Sequence, residues 1–276
     1  MEAKSGTNSN RNRIFRKQLV IPAEHGSWPW FLVPYFVGVL VAREWNFAAA
    51  LVLIGGLAGF LVRQPAISWM RIRAGKGRKA DLGLARAWTI GLGSAAAGSF
   101  IGLLLMGLVE MLWLLIPMVV IFVLYLIASR QRRASVRTLW MEAAGAAGLA
   151  AAAPAAYIAA TGSLDETAWV LWGLMAAQNA LGVLYVRTRI ADTRGREMSR
   201  SPILAGHVGA LLLVIAAAVW EIVPWLVVVP YAAYLARAVW TAVAVRPVEN
   251  VVRFGFSEVG VEIAGGLLVA AGYWLQ

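Results

Sequence analysis

Two carboxylates, Glu258 and Glu262, stand four residues apart in an apolar stretch, so a helix sets them on one face. Acids inside a bilayer-length helix suit proton transfer or the binding of a polar ligand. A second group lies in Gln178 to Arg196, QNALGVLYVRTRIADTRGR. Asn179, Tyr185, Arg187, Arg189 and Asp192 follow one another there, where an apolar run opens into a basic loop. Guanidinium groups at that spacing can contact phosphate oxygens directly. Glu24 and His25 form a third group near the start, and Arg63, Gln64 and Arg71 a fourth after the second apolar run. His25, Glu24 and Glu262 are the candidates for a catalytic acid or base. Arg63, Gln64, Arg71, Asn179, Tyr185, Arg187, Arg189, Asp192 and Glu258 are the candidate ligand-binding set.

Plainer readings compete with each of these. Arginines beside apolar runs set membrane topology without binding anything. Glu258 and Glu262 can pair structurally with Arg63 or Arg71. Gln178 and Asn179 can glue helices together. His207 reads as a satisfied helix-interface histidine. There is no cysteine, and the two histidines are far apart, so a thiolate or histidine metal site is not expected. Walker loops, dinucleotide fingerprints and HExxH are absent. The basic run Gly75 to Lys79 reads as a flexible loop rather than a phosphate cradle.

The elements that must position these groups are transmembrane helices. Of 276 residues, 61% are apolar, against ~45–50% in a soluble domain. Nine apolar spans are expected, at 27–42, 46–63, 85–106, 110–128, 139–160, 167–186, 203–220, 222–243 and 255–274. The fold class is all-α, a polytopic helical membrane bundle. Residues 1–20 read as a flexible basic tail, and 21–276 as one transmembrane domain. The net charge of +11 fits basic loops facing an anionic leaflet better than nucleic acid. With the N-terminus inside, 24 of the 25 Lys and Arg residues fall on the inner side, and Arg43 alone falls outside. That bias places the N-terminus in the cytoplasm and the C-terminus outside the plasma membrane.

Span five, EAAGAAGLAAAAPAAYIAA, is rich in small residues. It is expected to be a tightly packed central helix in which Leu at Gly145 or Gly148 would overpack. Pro154 in it, and Pro224 and Pro230 in span eight, are expected kinks. The embedded polar residues all fall in the inner half of their spans. That pattern suits a pocket open to the cytoplasm better than a channel or a midplane transport site.

Two stretches resemble the YwiC-like family of bacterial membrane proteins. One is Pro22-Ala-Glu24-His25-Gly26-Ser-Trp28 with Pro34 and Gly38 after it, where Ser27 replaces the family's alanine. The other is Asn179 followed by Tyr185-Val-Arg187-Thr-Arg189-Ile. The resemblance implies a polytopic membrane protein and supplies no catalytic residues. A more distant resemblance is to UbiA-type prenyltransferases. It implies nine helices, the N-terminus inside, and aspartate-rich loops after helices two and six that bind prenyl diphosphate through magnesium. Here those positions are largely basic, with Asp81 and Asp192 remaining. The first expectation is therefore a bundle that binds an amphipathic ligand with an anionic head, a lipid phosphate or prenyl diphosphate. Arg187, Arg189, Arg63 and Arg71 hold the head, while Asn179, Tyr185 and the Glu258/Glu262 face orient it. The second is a non-enzymatic membrane assembly protein docking an acidic partner, and transport is the third.

Overall fold

The computed structural model describes residues 27–120 and 139–276. The basic tail, Glu24, His25 and the basic run 130–137 lie outside the described residues. The described chain is helical: α1 (Pro29–Ala42), α2 (Phe47–Arg73), α3 (Leu82–Leu105), α4 (Val109–Val120), α5 (Leu139–Leu149), α6 (Ala152–Thr161), α7 (Glu166–Thr193), α8 (Ser201–Val219), α9 (Val228–Ala242) and α10 (Val251–Trp274). Seven segments are long and apolar enough to cross a membrane, α5 and α6 together forming one of them. The protein is a polytopic helical bundle. The α1 helix has 14 residues, about 21 Å at 1.5 Å per residue, which is short of a ~30 Å hydrocarbon core.

The chain divides into two compact units. One holds Ile54–Gly102, and the other holds Gly26–Leu53 with Leu103–Gln276. In the first, α2 and α3 approach where a Cβ on Gly55 would stand 2.8 Å from the Ser99 Cβ. In the second, α1 packs on α6 and α10, α5 and α6 pack on α7, and α8 packs on α9.

Caps and prolines explain the boundaries. The Asp165 carboxylate accepts from the Ala168 N–H and starts α7, and Asn250 does the same for α10 through Arg253 N–H. Span five breaks at Ala150–Ala151 rather than bending smoothly at Pro154. Pro154 has no N–H to offer the Ala150 carbonyl, which accepts from Ala153 N at 3.0 Å instead. The expected kinks at Pro224 and Pro230 are not kinks. Pro224 precedes the 3₁₀ turn Trp225–Val227, and Pro230 sits in the first turn of α9, where a missing N–H costs nothing.

Two spans run further than expected. The second continues through Pro65 to Arg73, and the sixth continues to Thr193. Arg187, Arg189 and Asp192 therefore stand on a helix, not in a loop, and their spacing becomes a geometric constraint. Gly145 faces open space, so overpacking there is not expected. The close approach is at Gly38 of α1, where a Cβ would overlap the Ala153 carbonyl of α6. Arg43, the basic residue outside the inner set, has its own structural task. It donates from Nη2 to the carbonyls of Tyr273 and Trp274 at 2.9 and 3.1 Å and closes the C-terminal end of α10.

Candidate functional site

Helix α7 carries five of the candidate residues, and its 3.6-residue repeat sorts its polar groups by face. Gln178, Gly182, Tyr185, Arg189 and Asp192 recur at helical spacing along one side. Asn179 points elsewhere: its amide nitrogen donates to the carbonyls of Trp30 in α1 and Ala146 in α5, at 2.9 and 2.8 Å. It is fully buried, and both bonds join helices. Arg187 faces α5 and pairs with Glu142 at 3.1 Å, both side chains about one-third exposed.

Arg189 is held on several sides. Its Nε donates to the Arg246 carbonyl and its Nη1 to the Tyr185 hydroxyl, each at 2.9 Å. Its guanidinium carbon lies 5.2 Å from the ring centres of both Trp240 and Phe254, and 5.8 Å from that of Tyr185. Such stacking fixes the plane of the guanidinium while keeping its charge. One turn on, the buried Asp192 takes Arg200 Nη2 at 2.5 Å on one oxygen and the Arg246 N–H at 2.9 Å on the other. That carboxylate is committed within the protein. Beyond it Arg194 and Arg196 are exposed.

Deeper along the same face is a small polar cavity. Gln178, Gly182 and Tyr185 of α7, His207 of α8, Tyr234 and Arg237 of α9, and Glu258 and Glu262 of α10 line it. The pairing expected for Glu258 with Arg63 or Arg71 is replaced. Glu258 pairs with Arg237 at 2.5 Å, and Arg237 also lies 4.1 Å from the Tyr185 ring centre. Glu262 is buried, and the Gln178 amide nitrogen donates to its backbone carbonyl at 3.0 Å. His207 is buried with Nδ1 2.7 Å from the Ile203 carbonyl, so Nδ1 carries the proton when the ring is neutral.

Glu258, Glu262, Tyr185 and Arg189 thus share one region of the second unit, with Arg187 and Asp192 on the same helix. Arg63 and Arg71 are exposed and Gln64 half-buried on α2, within the first unit. His25 and Glu24 are outside the described residues. Arg237 and Tyr234 are functional candidates beyond the set expected from the sequence. Their signal was present: Tyr231, Tyr234 and Arg237 recur every third residue in an otherwise apolar span. Among the described residues no group of three or more His, Cys, Asp or Glu could hold a metal ion.

Comparison with known proteins adds the family. No curated protein and no solved structure matches the chain. The family described as YwiC-like protein matches residues 21–157, which include the opening motif from Pro22 to Trp28 and end before Asn179. Over those residues, just under half of its length, the chain is similar to the YwiC-like family.

Proposed function

We propose that the protein binds an amphipathic ligand with an anionic head, a lipid phosphate or prenyl diphosphate, at the basic end of α7, and that this end faces the cytoplasm. The observation that carries the reading is the setting of Arg189. Two of its nitrogens are spent on the protein and three aromatic rings fix its plane. A guanidinium held this way offers a planar donor edge to phosphate oxygens at little entropic cost. Arg187, two residues earlier, lies on another face of the helix and is paired with Glu142, so it adds positive charge nearby rather than a second contact on this edge, and exposed Arg194 and Arg196 attract an anion toward it. With Asp192 already bonded to Arg200 and Arg246, the head meets arginine directly rather than through a carboxylate-held cation.

Native mass spectrometry of the purified protein tests this. Arg187 and Arg189 are changed together to Gln, which keeps hydrogen bonding and removes charge. The wild type is expected to carry a co-purifying anionic lipid that the double variant loses or holds at least tenfold less. An identical lipid complement in both proteins, or none in either, would contradict the reading. It would favour an acidic protein partner on the exposed Arg194 and Arg196 instead.

A further inference from the structure

The cavity between α7, α8, α9 and α10 asks for a guest of its own. Its volume is about 20 Å³, room for one water-sized body. Three oxygens in this region are buried with no hydrogen-bond partner among the described residues: Gln178 Oε1, Tyr234 Oη and Glu262 Oε1. Their residues are 2%, 7% and 8% exposed, so bulk solvent does not satisfy them. Leaving buried oxygens unpaired is costly, and more so for a charged one. The absence of a side chain at Gly265 allows the close approach of these groups. A Cβ on Gly265 would overlap the Tyr234 hydroxyl and stand 3.0 Å from Gln178 Oε1, and one on Gly182 would stand 3.6 Å from Glu262 Oε2.

Charge defines the guest further. Two carboxylates, Glu258 and Glu262, meet one guanidinium, Arg237, and that cation is bonded to Glu258. Among the described residues Glu262 has no ion-pair partner, although it is the more deeply buried of the two. A bare carboxylate in an apolar helical bundle is costly unless a positive charge reaches it. The other groups facing the cavity do not supply one. Gln178, Tyr185 and Tyr234 are neutral, and His207 directs Nδ1 to its own helix. A group of two oxygen acceptors and one hydroxyl, sized for a single small guest, matches a monovalent cation.

We infer that Gln178, Tyr234 and Glu262 form a binding site for one monovalent cation, either a solvent proton held with a water molecule or an alkali ion. This site is separate from the arginine surface of α7 and does not depend on the ligand proposed there. Occupied, it neutralises Glu262 and satisfies all three oxygens at once. Binding to the folded state alone stabilises it in proportion to guest activity.

The test is thermal unfolding in detergent along two axes, pH at fixed alkali concentration, and Na⁺ or K⁺ replacing N-methylglucamine at fixed pH and ionic strength. Other carboxylates also titrate, so the wild type is read against Glu262→Gln, which keeps the shape and the backbone bond to Gln178. If the guest is a proton, the wild type gains stability as pH falls, with a slope steeper than the variant's by up to about one proton, and alkali ions have no effect. If it is an alkali ion, the wild-type Tm rises with its concentration and the variant's does not. Tyr234→Phe, which removes only the hydroxyl, is expected to move the wild-type midpoint to lower pH or to at least threefold higher ion concentration. It keeps the test decisive if Glu262→Gln does not fold. Identical dependence on both axes in wild type and Glu262→Gln, or an unmoved midpoint in Tyr234→Phe, overturns the site.

Discussion

Arg237 stands between the Glu258 carboxylate at 2.5 Å and the face of the Tyr185 ring. Both charged side chains are largely sheltered, at 28% and 17% exposure. Removing one partner leaves the other charge without its counter-ion in an apolar bundle, a larger loss than the pair itself contributes. Glu258→Gln should therefore destabilise the protein by on the order of 3 kcal/mol in a denaturant unfolding measurement in detergent. The double change Glu258→Gln with Arg237→Gln should recover part of that loss. An additive pair of effects would mean the two side chains do not act on each other. The sequence made an ion pair for Glu258 legible, because an embedded carboxylate needs a partner. It could not name Arg237, since that depends on which face of α9 meets α10. Asn179 shows the same limit. An amide inside an apolar run reads equally as ligand or as helix glue, and only the carbonyls of Trp30 and Ala146 beside it reveal its two bonds.

At the scale of elements, close packing concentrates where α1 crosses α6. A Cβ on Gly38 would overlap the Ala153 carbonyl and come within 3.1 Å of the Ala156 Cβ, whereas Gly145 has nothing within 4 Å. Gly38→Ala should cost about 1–3 kcal/mol by forcing the two backbones apart. Gly145→Ala should be neutral or slightly stabilising, by at most ~1 kcal/mol, because only helix propensity changes. Thermal unfolding of both variants in detergent checks this, and equal losses would place the tight contact elsewhere. Small-residue composition made a close approach in span five readable but not its partner or face. The helix ends differ from the expected spans for a related reason. Apolar content marks the part of a helix suited to lipid, while α2 and α7 continue through Arg73 and Thr193 on backbone hydrogen bonds that polar residues also make.

For the whole molecule, hydropathy carried most of the architecture. The nine expected spans correspond to helices, with α1 short and α4 described only to Val120. Trp45, Trp113, Trp169, Trp220, Trp225 and Trp274 are exposed near span ends, where amphipathic rings favour the membrane interface. The division into two units was not readable, because a continuous series of apolar spans has no composition shift at residues 54 or 102. What was readable is the gathering of arginines at one end of α7, where the anionic head is proposed to bind. The most direct measurement is photocrosslinking with a lipid whose reactive group sits beside its phosphate, in membranes containing the full chain, followed by peptide mapping. Crosslinks are expected to concentrate within residues 185–200 and 237–253 and to be suppressed by excess unlabelled anionic lipid. Crosslinks spread evenly over the helices, or confined to the turns at Arg43 and Glu221, would contradict it.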